Sequence, residues 1–458
     1  MCVRIVSAHG FSIPYSTITQ AYILLRTNPV TSLASGSSYQ RLFRNRNFMA
    51  LWIGQMISFI GDYFVYLAIP IVVNRLTGSA LMVGLSLISG AIPALLLGPI
   101  AGVFVDRWDR RRTMIASDMI RAALVLFCLL VHTKEQVWIF YLVVFLMSST
   151  SQFFFPARGA LLPLIVTHST DWLAANSLMQ IIQTVGMVAG PSLAGFAIGL
   201  YGERVAFIVN CFGFIISALA VLTIRSPKPA RQREHAPASI KGVWRDLREG
   251  MAYLFGSRTL VGILVCMCVI MLGIGAINVV WVPYLQRTFG VGATGLGILD
   301  SAQGVGMVIG GVLLGFIASK VSKKSMVSAG TIVIGISMAA MGIAPAFGFI
   351  IAMGFIVGLG IVPAESGVTT MMQMAVPDLK RGRVGSSLNA FSTTASLISM
   401  SFAALLGDWI GLGTVYVVFG MCIVVSGLLC IWIVEEPQEQ ASDAPSLAIT
   451  KLDISQEG

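Results

Sequence analysis

Apolar runs of about 20 residues, separated by short polar breaks, constrain this chain more than any other feature. One such run crosses a bilayer's hydrocarbon core as a helix, and the sequence supplies about twelve, in keeping with the length rule. They fall near residues 50–72, 80–104, 113–132, 137–161, 175–200 and 204–224, then 259–283, 293–318, 325–344, 348–372, 384–407 and 413–434. Only 11% of the 458 residues are charged, against roughly a quarter in soluble domains. A water-soluble core cannot absorb such a chain. The expected fold class is an all-α integral membrane protein with twelve transmembrane helices.

The net charge of +10 invites a nucleic-acid reading, but its distribution answers otherwise. With the amino terminus inside, cytoplasmic segments hold 22 of the 30 Lys and Arg residues, and the opposite side has only Arg75, Lys134, Arg204 and Arg287. That asymmetry is the positive-inside rule. It predicts a multi-pass cell-membrane protein with both termini cytoplasmic and no nucleic-acid partner.

A polar stretch at 225–258, with Pro227, Pro229 and Pro237, separates a half at 39–224 from a half at 259–434. It reads as a cytoplasmic linker, within which 241–253 can form a short amphipathic helix on the membrane surface. Residues 1–38 are expected to be a disordered leader and 435–458 a disordered tail. The halves are related: Pro70 recurs as Pro283, Gly102 as Gly315 and Asn176 as Asn389, at one constant interval. Two six-helix halves repeated about the membrane normal, with substrate between them, is a transporter architecture.

Polar residues inside the runs are the candidate sites. Asp62 lies about twelve residues into the first run, near the bilayer centre at the helical rise, where a charge costs at least ~2.5 kcal/mol. It is either a proton carrier or cation contact facing a cavity, or a carboxyl buried for packing. Glu365, in the tenth run, is either the partner of Arg158 in an inner gate or a vestibule acid without a role. Asp118 and Arg121 share a helix face at i,i+3. They form either a relay, in which Asp106 and Asp118 share Arg121 and nearby loop arginines, or two side chains that snorkel separately. Asp300 and Asp408, near outer helix ends, are expected to be solvated. The segment GMVAGPSLAG, with Gly186, Gly190, Pro191 and Gly195, permits close helix contact and a bend.

The stretch GPIAGVFVDRWDRRR, residues 98–112, joins the second and third runs. Gly102 allows close helix approach, Asp106 can cap or pair, and Arg107 and Arg110 to Arg112 hold a turn at a membrane face. A plain cluster of stop-transfer charge would look similar. Its spacing resembles the signature loop of the major facilitator superfamily, with Asp109 where that pattern has glycine. FRNRNFMALWIGQMISFIGDYF, FFFPARGALLP, AANSL, GMVAGPSLAG and VPDLKRGRVGSS are similar to the branch that holds macrolide-efflux proteins and an enterobactin exporter. The resemblance covers roughly 41–434. It implies a proton-coupled exporter working by alternating access, with Gly102, Asp106, Arg107 and Arg111 as gating residues. Gly186, Gly190, Pro191 and Gly195 then form an antiporter-type motif, and Asp106 would latch against the amino end of the eleventh helix.

Rival classes lack their parts. No G-x4-G-K-[ST] phosphate loop is present for an ATP-driven pump, and no catalytic groups converge for an enzyme. The seven cysteines are scattered and the four histidines lie outside the run interiors, so neither a metal nor a disulfide is expected. No cofactor is expected beyond a proton gradient. The expected partners are a small amphipathic substrate and membrane lipid, and the expected oligomeric state is a monomer. An exporter of a siderophore or other endogenous metabolite, or a non-transporting sensor of the same fold, remains the alternative.

Overall fold

In the computed structural model, the described residues are 36–105, 107–225, 240–318 and 320–434. Asp106, the proline-bearing part of the linker, residues 1–35 of the expected leader and the expected tail lie outside them. Among the described residues there is no strand, and 12 helices are long and apolar enough to cross a membrane. In chain order these are α1 (Arg46–Thr77), α2 (Ala80–Val105), α3 (Arg110–Leu126), α4 (Trp138–Ile165), α5 (Trp172–Tyr201) and α6 (Arg204–Thr223). The second set is α7 (Arg258–Phe289), α8 (Ala293–Ile317), α9 (Lys323–Met341), α10 (Phe347–Ala375), α11 (Asp378–Ile410) and α12 (Leu412–Ile433).

Polar residues set where these helices start and stop. Asn45 accepts from the backbone N–H groups of Asn47 and Phe48 at the head of α1, and Ser257 and Ser322 do the same service for α7 and α9. Such caps satisfy donors that have no intrahelical partner. At the other end, α1 and α7 both stop on a left-handed glycine, Gly78 at φ 60° and Gly290 at φ 64°. Equivalent helices thus end in the same way.

Packing repeats the duplication. In the first half α1 packs on α5 and α6, α2 on α4, and α3 on α4 and α6. In the second, α7 packs on α11 and α12, α8 on α10, and α9 on α10 and α12. Each pair in one set has its counterpart in the other. Across the halves α2 meets α11 and α5 meets α8, again as counterparts.

Those cross-half contacts lie away from the face where α1 begins and α12 ends, which we call the terminal face. Gly297 of α8 sits so close to α5 that an added Cβ would overlap the Pro191 carbonyl oxygen, and one on Gly84 of α2 would stand 2.5 Å from the Ala404 Cβ of α11. Hydrogen bonds join the halves at the same level. Ser192 and Ser301 hydroxyls lie 2.5 Å apart, and Thr294 donates to the Gly195 carbonyl at 3.2 Å. Toward the terminal face, Gly102 of α2 and Gly315 of α8 look into open space. The bundle is therefore sealed at the far face and parted at the terminal face.

Two short helices flank the bundle. Gly36–Arg44, which begins inside the stretch expected to be leader, is tied to the head of α5 by Arg41 and Asp171 at 2.5 Å. Ile240–Phe255 covers the segment expected to be an amphipathic helix. It does more than lie on a surface, because Glu249 pairs with Arg383 of α11 at 2.5 Å and the Lys380 ammonium stands 4.5 Å over the Tyr253 ring.

Candidate functional site

A cavity of about 480 Å³ lies between the halves at mid-depth. Its walls follow from helical spacing. From α1 come Phe59, Asp62, Tyr63 and Tyr66, and from its counterpart α7 come Ile274, Ile277, Asn278 and Trp281. Both sets run i, i+3, i+4, i+7, one face of a helix. α8 adds Leu299, Asp300, Gln303, Gly304 and Met307. The rings make a continuous aromatic border: Phe59 is edge-on to Tyr63 at 5.6 Å, Tyr63 to Tyr66 at 6.2 Å, and Tyr66 stacks on Trp281 at 6.3 Å.

The GMVAGPSLAG segment of α5 explains how that border is held. A Cβ on Gly190 would stand 2.6 Å from the Tyr63 ring, and one on Gly186 would overlap the Phe59 ring. Both glycines make room for cavity aromatics. Pro191 lines the cavity itself, and a Cβ on Gly195 would meet the Ala293 carbonyl of the other half at 2.5 Å. One short motif thus seats the α1 rings and seals the half interface.

Asp62 sits midway along α1 and accepts a hydrogen bond from Asn210 of α6 at 3.1 Å. Seven residues nearer the terminal face on both helices, Gln55 donates to Ser217 at 3.1 Å, and Gln55 in turn accepts from Arg158 at 3.4 Å. A polar seam therefore runs along the α1–α6 contact from the cavity toward the terminal face. Beside it Asp118 and Arg121 form a buried ion pair, as their spacing permits. The Arg121 guanidinium stands 4.5 and 4.4 Å from the centres of the Phe154 and Phe214 rings.

Several expectations change. Arg158 does not pair with Glu365: it donates to Gln55 and lies 5.2 Å over the Phe155 ring, while Glu365 is exposed and is not part of the cavity wall. The two sit on α4 and α10, whose ends at the terminal face belong to parted halves. Arg111 does not join the Asp118 pair. It donates to the Val221 carbonyl at 3.1 Å and to that of Leu222, because the last carbonyls of α6 lack intrahelical donors. Asp109, the departure from the loop pattern, accepts from the Arg112 N–H at 2.7 Å and caps α3. Gly102 makes no close helix contact, Arg107 lies exposed in the turn, and the latch expected of Asp106 lies outside the described residues.

Of the two acids expected to be solvated, Asp408 is exposed but paired, and Asp300 is half-buried in the cavity wall. Asp300 lines the cavity across from α1. Asp408 accepts from Arg287 at 2.7 Å, from the Ala80 N–H at 2.9 Å and from the Ser79 hydroxyl at 3.3 Å. It caps α2 from the other half. Arg287 also donates to Asn74 at 3.0 Å, a partner 213 residues away that is its own counterpart in the duplication.

Comparison with known proteins agrees with this architecture. A sequence model of the Major Facilitator Superfamily matches residues 51–265 and 263–452. Macrolide efflux protein A of Streptococcus pyogenes is 28% identical over 388 residues, 84% of this chain and 95% of that protein. The enterobactin exporter EntS of Citrobacter koseri is 24% identical over 403 residues, 85% and 92% of the two chains. Among solved structures, a bacterial homologue of the iron transporter ferroportin in an inward-facing state superposes with a TM-score of 0.71 at 16% identity, covering 86% of this chain and 99% of that one. With twelve spans, paired halves and a cavity between them, the chain belongs to the Major Facilitator Superfamily of membrane transporters.

Proposed function

We propose that this chain is a proton-coupled efflux antiporter for amphipathic, macrolide-type compounds, working by alternating access. The observation that carries the reading is Asp62, an acid at mid-membrane that faces a cavity sealed at one face. Similarity to macrolide efflux protein A supports the cargo; similarity to an enterobactin exporter keeps a self-made metabolite as the second reading.

The Lys and Arg distribution supports a cytoplasmic terminal face, and on that reading the arrangement is inward-facing. The two halves, 39–224 and 259–434, rock as units about the cavity, joined by the linker 225–258. Cargo enters from the cytoplasmic side among rings and thioethers that adapt to varied shapes. Burial favours the uncharged form of any carboxyl, so a proton taken up from outside travels inward on Asp62 and leaves along the Gln55–Ser217 seam. The proton gradient is the only energy source required, and a single chain is sufficient.

Accumulation of a macrolide in efflux-deficient bacteria tests this. Cells with the native protein are expected to hold less drug than empty cells, and either a protonophore or Asp62→Asn removes the difference. Drug levels equal to empty cells, with the protein confirmed in the membrane, would discard macrolides and promote an endogenous metabolite.

A further inference from the structure

The cavity wall is acidic as well as aromatic. Its wall carries two carboxyl groups, Asp62 and Asp300, and no Lys, Arg or His. The two acids are not equivalent. Asp62 already holds the Asn210 amide. Asp300 has no hydrogen bond or ion pair among the described residues, although its neighbour Ser301 is fully engaged with Ser192 and the Val188 carbonyl. An acid at that depth without a protein partner is costly, and a cationic guest would supply the missing partner. The stacked Tyr66 and Trp281 rings border the same space, and aromatic faces attract cations in a desolvated site. Met187, Met307, Met338 and Met341 make much of the remaining wall, which suits variable apolar bodies.

We propose that the cavity selects lipophilic monocations, such as large molecules bearing a protonated amine, with Asp300 as the counter-ion that receives the positive group. The proposal rests on the exporter reading and narrows its substrate class. An anionic guest would find no cation in the wall to pair with, so its charge would stay uncompensated in a low dielectric. A neutral guest would leave Asp300 unpartnered. Placing the cation on α8 and the proton on α1 also divides the two charges between the two halves that move.

Equilibrium binding of tetraphenylphosphonium and tetraphenylborate to the purified full chain in lipid nanodiscs separates charge from size, since the two ions share a shape. Empty nanodiscs correct for partition into lipid. The cation is expected to bind and the anion to bind about tenfold more weakly or less, and Asp300→Asn lowers cation affinity about tenfold, as loss of a charge-assisted contact implies. Asp300→Glu restores part of it. Equal binding of the two ions to the native protein overturns the proposal, and that comparison needs no variant to fold. Native cation affinity in a folded Asp300→Asn protein overturns it as well. Loss of charge preference with macrolide efflux intact sinks this inference alone. Cation binding through Asp300 in a protein that exports nothing under a proton gradient supports it and sinks the exporter reading.

Discussion

A carboxyl group inside a membrane protein is costly unless something compensates it, and of four acids here three have a protein partner. Asp62 leans on an amide, Asp118 on Arg121, and Asp408 on Arg287 and a helix end, whereas Asp300 has no partner among the described residues. The buried pair gives a sharp prediction. Arg121→Met leaves Asp118 charged and enclosed, which costs about 3–5 kcal/mol, whereas removing both charges in Asp118→Asn/Arg121→Met recovers most of that. Melting temperatures of the purified variants in one detergent check this; equal loss in single and double variants would contradict it. Asp62 was legible in the sequence because an acid interrupts an apolar run at mid-length. Asp300 is not, because it lies only seven residues from the start of α8, a position that reads as a helix end. The helix end says nothing about whether the far face is closed. The repeated i, i+3, i+4, i+7 sets of α1 and α7 were the available signal for the cavity wall, and α8 shares that wall only through tertiary packing.

Among elements, α5 and α8 carry the seal. The GMVAGPSLAG spacing announced close contact but could not name the partners, which are rings of α1 on one side and backbone of α8 on the other. Gly195→Ala places a Cβ 2.5 Å from the Ala293 carbonyl. Overpacking of this kind costs about 1–3 kcal/mol and here falls only on the state in which the far face is closed. The variant is expected to populate the outward-open state about tenfold more, by the usual conversion of free energy to ratio, read as a longer spin-label distance across that face. Unchanged distances would contradict the assignment of Gly195 to the seal. Arg287→Gln acts in the same direction but more weakly. The Arg287–Asp408 pair is about a third exposed, 32% and 31%, and pairs so placed contribute ~0–1 kcal/mol. A larger shift from Arg287→Gln than from Gly195→Ala would reverse that ranking. Asp109 shows the limit of motif reading: it departs from the loop pattern, yet its oxygen caps α3, a local function that any short acceptor can serve.

At the scale of the molecule, the number of spans and the duplication could be taken from apolar length, the linker and recurring Pro and Gly positions, because those depend on the bilayer and on backbone chemistry. The conformational state could not. One sequence must serve every state of a transport cycle, so it permits a close helix contact at Gly102 and an Arg158–Glu365 gate pair, neither of which forms in this structure, where the terminal face is parted. The far-face seal is built from counterpart contacts, Gly297 on Pro191 and Gly84 beside Ala404, so both halves must release together when the face opens. The most direct measurement is macrolide movement in proteoliposomes across an imposed pH gradient, with native protein and Asp62→Asn compared at equal insertion. Gradient-driven accumulation is expected with native protein, and none above the no-gradient level with Asp62→Asn. Equal gradient-driven accumulation by the two would contradict it.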